Sequence, residues 1–407
     1  MGNKKDYGDG YNFQEVFFKS HPVNKKNPNP IPPKKEKPPE KPPEPQPKPE
    51  PQPQPRRIFI PVEVDDKKKK HSFLKFLIWL IIIAIFVSFG SLIFLISRID
   101  YVRESPDEEM IVKMVGELEY DPDVQNILIL GTDNHPRGEN GRSDSMILVS
   151  IDKKHQKIKQ TSFLRDLYLP IVDKGEGRLN SAFSIGGAKL AVETIEYNFH
   201  IKIDSYITID FESFESIIDG LGGIDIELTE PEIEYINWQS HKNKQVEDEN
   251  ELKKENYNFY QKDKTMVAVV HLNGRQALWH ARNRGDEDMQ FEGDDFTRTS
   301  KQRDVINTVL SKLQEANPTD LVKTVYKVAP MIKTNMDLGN ALKLSFGVIG
   351  YLKYDRMGFR VPQIFNYSNE VIDGQEVLVI SNMDETIKAL KEFVFNADKE
   401  AEASSED

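Results

Sequence analysis

The run VQNILIL at residues 124–130, followed by MILVSI at 146–151, decides the fold. Each is a short apolar stretch of strand length and composition, too brief for a buried helix. Working outward, Ile158–Leu164 reads as a third strand. Helical spacing then appears from Ala182 to Phe199, where Ala188, Val192, Ile195 and Phe199 recur on one stripe. Tyr206–Ile209 is a strand, and Phe214, Ile217, Ile218 and Leu221 fall at i, i+3, i+4 and i+7 of a helix closed by Gly222 and Gly223. Ile224, Ile226 and Leu228 alternate with Asp225 and Glu227 as a half-buried strand does. Met266–Leu272 is a strand, Gly274–Arg284 a short helix, and Thr297–Leu313 a longer one with Val305, Ile306, Val309 and Leu313 facing inward. Residues Asp337–Ile380 add a helix and further strands. This alternation predicts an α/β sandwich in one large domain over residues 121–397. Asn237–Lys264 is polar and without an apolar period, so it is expected as a mobile loop.

Upstream the chain changes character. Residues 76–96 read FLIWLIIIAIFVSFGSLIFLI with no charge. At 1.5 Å per residue this run covers about 31 Å, the thickness of a hydrocarbon core, and predicts one transmembrane helix within residues 73–97. Lys67–Lys70 and Lys75 precede it, whereas Arg98 and Arg103 on the far side stand among Asp100, Glu104, Asp107, Glu108 and Glu109. The positive-inside bias therefore places the N-terminus in the cytoplasm and the large domain outside the cell, after a stalk at 98–120. Of 24 prolines, 16 fall between Pro22 and Pro61. Such a tract lacks backbone donors and apolar side chains, so residues 1–70 are expected as a disordered tail. The tail is either an inert spacer or a docking segment for a cytoplasmic partner. Residues 398–407 form an acidic tail.

Charge divides the same way. Residues 1–70 carry 16 Lys+Arg and 10 Asp+Glu, net +6, which leaves −18 for the remainder of a chain of net −12. An acidic outer domain argues against nucleic acid as a partner, since phosphate binding needs a basic surface. The absence of cysteine excludes disulfides, thiolate catalysis and Cys-based metal sites.

Within that acidic domain, polar residues gather at strand and helix ends. Gly131-Thr132-Asp133 follows the first strand and Arg142-Ser143-Asp144 precedes the second. Two carboxylates so placed can share Mg²⁺, which keeps waters and contacts substrate phosphate; equally, Asp133 is an ordinary turn residue and Asp144 an ordinary surface charge. Arg165 closes the third strand, Arg282 and Arg284 close a helix, and Arg298 and Gln302 lie four apart near a helix N-terminus. Guanidinium forks converging there suit a diphosphate.

Taken in order, NILILGTD, GRSDSMILVSID, SFLRDLYLPI, RLNSAFSIGGAKLAVETIEYNF, YITIDFESFESIIDGLGGIDIEL, HLNGRQALWHARNR and DDFTRTSKQR resemble the LytR-CpsA-Psr (LCP) family over roughly Val124–Leu313. The resemblance implies an α/β/α sandwich with a mixed central sheet. It also implies an enzyme that moves a glycopolymer phosphate, of teichoic acid or capsule type, from an undecaprenyl diphosphate carrier to peptidoglycan, releasing undecaprenyl phosphate at the membrane. By motif, Asp133 and Asp144 would hold Mg²⁺ and, with Arg165, act in catalysis. Arg142, Arg165, Arg282, Arg284, Arg298 and Gln302 would bind the diphosphate. Where the family often has an arginine just after the first Asp, this chain has Asn134 and His135, with Arg137 beyond; its Arg-Gln pair appears as Lys301-Gln302. Apolar faces at Phe183–Phe199 and Phe211–Leu221 are expected as walls of the lipid pocket. The rival reading is a noncatalytic envelope sensor or transcriptional attenuator, and a third is diphosphate hydrolysis with water as acceptor.

Overall fold

The computed structural model describes residues 78–83, 86–87, 90–91, 93–102, 106–133, 141–242, 251–285 and 294–396. The Pro-rich tail, the loop holding Asn134, His135 and Arg137, and the acidic C-terminal tail lie outside them. Of the apolar run 76–96, the described residues are helical. Among the described residues no helix is long and apolar enough to cross a membrane.

The strands are β1 (Asp100–Tyr101), β2 (Val124–Thr132), β3 (Ser143–Asp152), β4 (Lys157–Phe163), β5 (Tyr168–Ile171), β6 (Gly175–Arg178), β7 (Ser205–Asp210), β8 (Ile224–Thr229), β9 (Tyr260–Lys262), β10 (Thr265–Leu272), β11 (Lys333–Thr334), β12 (Asp355–Val361), β13 (Tyr367–Ile372) and β14 (Gln375–Ile380). The α-helices are α1 (Glu108–Val115), α2 (Leu179–Phe199), α3 (Phe211–Gly220), α4 (Glu230–Lys242), α5 (Gly274–Arg282), α6 (Asp295–Glu315), α7 (Pro318–Val328), α8 (Leu338–Tyr351) and α9 (Met383–Phe395).

The central sheet runs β1-β11-β7-β2-β3-β4-β12. It is mixed: β2 pairs β7 in parallel and β3 antiparallel, and β4 pairs β12 in parallel. Because side chains alternate across a strand, each long strand feeds two cores. Leu128, Leu130, Met146 and Leu148 face one side, against Ile195 and Phe199 of α2 and Leu390 and Phe393 of α9. The Phe163 and Phe199 rings meet there with centroids 5.1 Å apart. Burying each such side chain stabilises the fold by about 1.5–3 kcal/mol. Ile127, Val149, Ile151 and Ile207 face the other side, where α8 contributes Ala341 and Leu342. A second sheet, β8-β10-β9, builds its own core with α3, α4, α5 and α6.

Three expectations change. Helix α2 lies on the sheet face opposite the cavity described below, so Phe183–Phe199 packs the main core and does not wall a lipid pocket. The stretch expected as a stalk carries β1, paired with β11, and α1, which Asp107 caps and whose Ile111 is fully buried. Of Asn237–Lys264, the start belongs to α4, Leu252 is buried, and β9 pairs with β10; residues 243–250 lie outside the described residues. Asn237 holds Leu252 through both backbone groups of that residue, which ties the segment down without any apolar period.

Candidate functional site

Strands β2 and β3 pair Gly131 with Ser145 but Thr132 with Ser143. Asp144 is thus the surplus residue of a bulge, which bends the strand and re-aims its side chain. Gly131 fits closely opposite: a Cβ there would stand 3.0 Å from the Ser145 Cβ, so the strands would have to give by a few tenths of an ångström. The Ser145 hydroxyl donates to Gln302 Oε1 at 3.0 Å, which joins β3 to α6. Asp133, one residue past β2, accepts the Arg142 N–H at 2.6 Å and closes the loop mouth.

Helix α6 starts at a capping box formed by Asp294 and Thr297, which sets Asp295, Arg298 and Gln302 over the end of β3. Asp295 gathers three guanidiniums: Arg165 and Arg298 at 3.1 Å and Arg284 at 3.3 Å. Arg165 also donates to Asp144 at 2.9 Å and to Asp166 at 3.3 Å, and Arg178 reaches Asp166 at 3.3 Å. Burial pushes the Asp295 carboxyl up, but Arg298, Arg165 and Arg284 outweigh it and hold the group below the usual carboxylate range. Asp166 moves the other way, raised by burial and by the neighbouring Asp295 against the pull of Arg165. Burial draws Arg298 down to about 10, with Asp295 opposing; it stays charged at neutral pH.

Beside this cluster opens a cavity of about 490 Å³ between the sheet and α3, α4, α5 and α6. Asp144, Arg282, Arg284, Arg298 and Gln302 stand on its polar side. Ile129, Ile147, Ile209, Phe211, Phe214 and Trp279 are among its apolar lining. Arg282 marks the boundary, its guanidinium 4.6 Å over the Phe211 ring and 5.5 Å over that of Trp279. Two of the lining residues carry a buried donor with no protein acceptor among the described residues, Arg298 Nε and Trp279 Nε1. An excess of donors over acceptors suits a ligand made of anionic oxygens.

The structure therefore brings Asp144, Arg165, Arg282, Arg284, Arg298 and Gln302 together. Asp133 and Arg142 sit at the adjoining strand ends, and Arg142 is exposed, offering its backbone to Asp133. Among the described residues no group of three or more metal-binding side chains occurs. Asp133 accepts from the Arg142 N–H and Asp144 from the Arg165 guanidinium; two carboxylates can hold Mg²⁺ when water and substrate oxygens complete the shell. Phe211 and Phe214 lie in the stretch expected as a pocket wall and do line the cavity, whereas Asp295, Asp166 and Trp279 were not singled out from sequence. Asp295 reads there as an acid in a first helical turn, where acids are ordinary. Lys301, beside Gln302, turns away to Glu232 at 3.1 Å.

Residues 100–392 match the LytR_cpsA_psr family. Over 224 residues the chain is 29% identical to polyisoprenyl-teichoic acid–peptidoglycan teichoic acid transferase TagV of Bacillus subtilis (strain 168), covering 54% of this chain and 51% of TagV. Over 304 residues it is 29% identical to regulatory protein MsrR of Staphylococcus aureus (strain Mu50 / ATCC 700699), covering 73% and 82%. The chain thus spans about half of the first relative and most of the second. A solved structure of the LytR-CPS2A-psr family protein YwtF (TagT) with bound octaprenyl pyrophosphate lipid has the same fold, with TM-score 0.50 and 20% identity, covering 73% of this chain and 99% of that one.

Proposed function

The chain belongs to the LytR_cpsA_psr family, and from that membership we propose that it is a membrane-anchored, Mg²⁺-dependent phosphotransferase. It attaches a glycopolymer of teichoic acid or capsule type, carried on undecaprenyl diphosphate, to peptidoglycan. The N-terminus lies in the cytoplasm, the apolar run 76–96 spans the membrane once, and the folded domain works outside. One observation carries the reading: a mouth of guanidiniums and unpaired donors leads straight into an apolar cavity, the shape of an amphiphile with an anionic head.

The residues divide the work. Arg284 is half exposed, 47% at its side chain, and meets the incoming diphosphate first. Arg298 and Arg165, held by Asp295, already face where charge builds on the bridging oxygen, so they need no reorganisation as the reaction proceeds. Arg282 on its aromatic platform seats the phosphate next to the start of the prenyl chain. A peptidoglycan hydroxyl attacks the phosphorus on the glycan side, the bond to the prenyl phosphate breaks, and the hydroxyl proton passes to Asp133 or Asp144. Those two carboxylates would hold the Mg²⁺, which supplies charge neutralisation at the phosphate oxygens.

The test is transfer of labelled glycopolymer to peptidoglycan by the full chain in lipid, with Arg165→Ala and Asp144→Ala beside it. We expect loss of transfer in both and in excess EDTA; wild-type rates in either variant overturn the assignment. A relative described as a regulatory protein keeps a noncatalytic role in view. A chain that transfers nothing, yet changes envelope gene expression when residues 1–65 are deleted, would favour that role. Glycopolymer released free whether or not peptidoglycan is present would indicate hydrolysis.

A further inference from the structure

Helix α7 carries Val322, Val325 and Tyr326 at i, i+3 and i+4, exposed by 51%, 44% and 48%. Its opposite side is packed: Thr324 is buried and donates to the Gly220 carbonyl of α3 at 2.8 Å. Helix α8 adds Phe346, 63% exposed, and Leu338. Both helices flank the point where the apolar run ends. Leu95 and Ile96 are buried, Ile96 in one cluster with Met336 and Ala341, and the Arg98 guanidinium lies 4.2 Å over the Tyr326 ring.

The charge here runs against the rest of the outer domain. Between residues 318 and 353 stand Lys323, Lys327, Lys333, Lys343 and Lys353, against only Asp320 and Asp337. An apolar stripe bordered by lysines, continuous with a membrane-length apolar segment, has the composition of an interfacial helix.

We propose that α7 and α8 rest on the bilayer, their exposed apolar side chains in the headgroup boundary and their lysines on anionic lipid. The proposal rests on the membrane-anchored reading above. It gives the domain a fixed seat instead of a free tether. Because α7 packs tightly on α3, where a Cβ on Gly220 would come within 2.5 Å of Thr324, that seat is coupled rigidly to the helix whose Phe211 and Phe214 line the cavity. The prenyl chain would then pass from bilayer to cavity along one braced helix pair.

The chain has no cysteine, so single labels are clean. The full chain is reconstituted in vesicles of phosphatidylglycerol and phosphatidylcholine with a spin label at Val325→Cys, Phe346→Cys, Ile82→Cys or, as an aqueous control, the exposed Val371→Cys of β13. Labels at 325 and 346 are expected to lose most of their collisions with a water-soluble nickel quencher and to gain collisions with oxygen, relative to 371. If 82 is lipid-facing while 325 and 346 behave like 371, the seat is overturned and the anchor stands. If all four are aqueous, both fall.

Discussion

Replacing Asp295 with Asn removes the one carboxylate shared by Arg165, Arg284 and Arg298 while preserving its shape. Breaking a buried ion pair by deleting one partner costs about 3–5 kcal/mol, because the remaining charge is left uncompensated. Arg165 keeps Asp144 and Asp166, Asn retains one acceptor, and Arg284 is half exposed and screened, so the cost falls to roughly 2–3 kcal/mol. In a domain of this size each kcal/mol moves the melting temperature by about 2–4 °C, which predicts a drop of roughly 4–12 °C. The second signature has the opposite sign. With the internal carboxylate gone, the guanidiniums repel one another, and an added diphosphate takes over the neutralising role. A short-chain prenyl diphosphate should therefore raise the melting temperature of Asp295→Asn by more than it raises that of the wild type. Differential scanning fluorimetry with and without the ligand reads both numbers. A variant melting within about 1 °C of wild type, with an equal ligand shift, would refute the reasoning.

Phe211→Ala removes the ring beneath Arg282, an interaction of about 0.5–2 kcal/mol, and should weaken prenyl diphosphate binding roughly 2- to 30-fold in a tryptophan fluorescence titration. Glu196 is pushed up to about 8, chiefly by burial, against the Ile203 N–H that it accepts. In the unfolded chain it titrates near 4.5, so between those values only the folded state holds the proton, and stability falls as pH rises through that window. Glu196→Gln keeps the acceptor for Ile203 and should flatten the melting profile above pH 4.5, with its largest gain near pH 8. His280 acts at the other end: burial takes it down to about 4, so its contribution is complete above its ordinary 6.5 and is lost as pH falls toward 4.

The long strands were legible because VQNILIL and MILVSI carry their burial in composition. Helix α4 was not, since EPEIEYINWQSHK puts the buried Glu232 on its inward face, where Lys301 from a distant helix meets it. No local period announces a buried acid whose partner is about seventy residues away. The same limit applied to the site. Arg165, Arg282 and Arg298 could be picked out as cations at element ends in an acidic domain. Their common partner could not, because the closeness of residues 165 and 295 is a property of the sheet and α6 together. The side of the sheet on which each helix packs was equally hidden: α2 is buried all round from Leu190 to Glu196 while α3 is amphipathic, and neither pattern names a sheet face; strand alternation sends α2 away from the cavity.

The bulge at Asp144 has a consequence for how the protein can vary. Substitutions around it change packing by degrees, but the residue count between Ser143 and Ser145 takes only whole values. Removing one residue there would restore an unbroken ladder and turn the preceding side chains to the opposite face in a single step, with no intermediate geometry. Tolerance at this place is therefore set by length and not by residue type. A deletion scan across residues 141–147 should show an abrupt threshold where a substitution scan shows a slope.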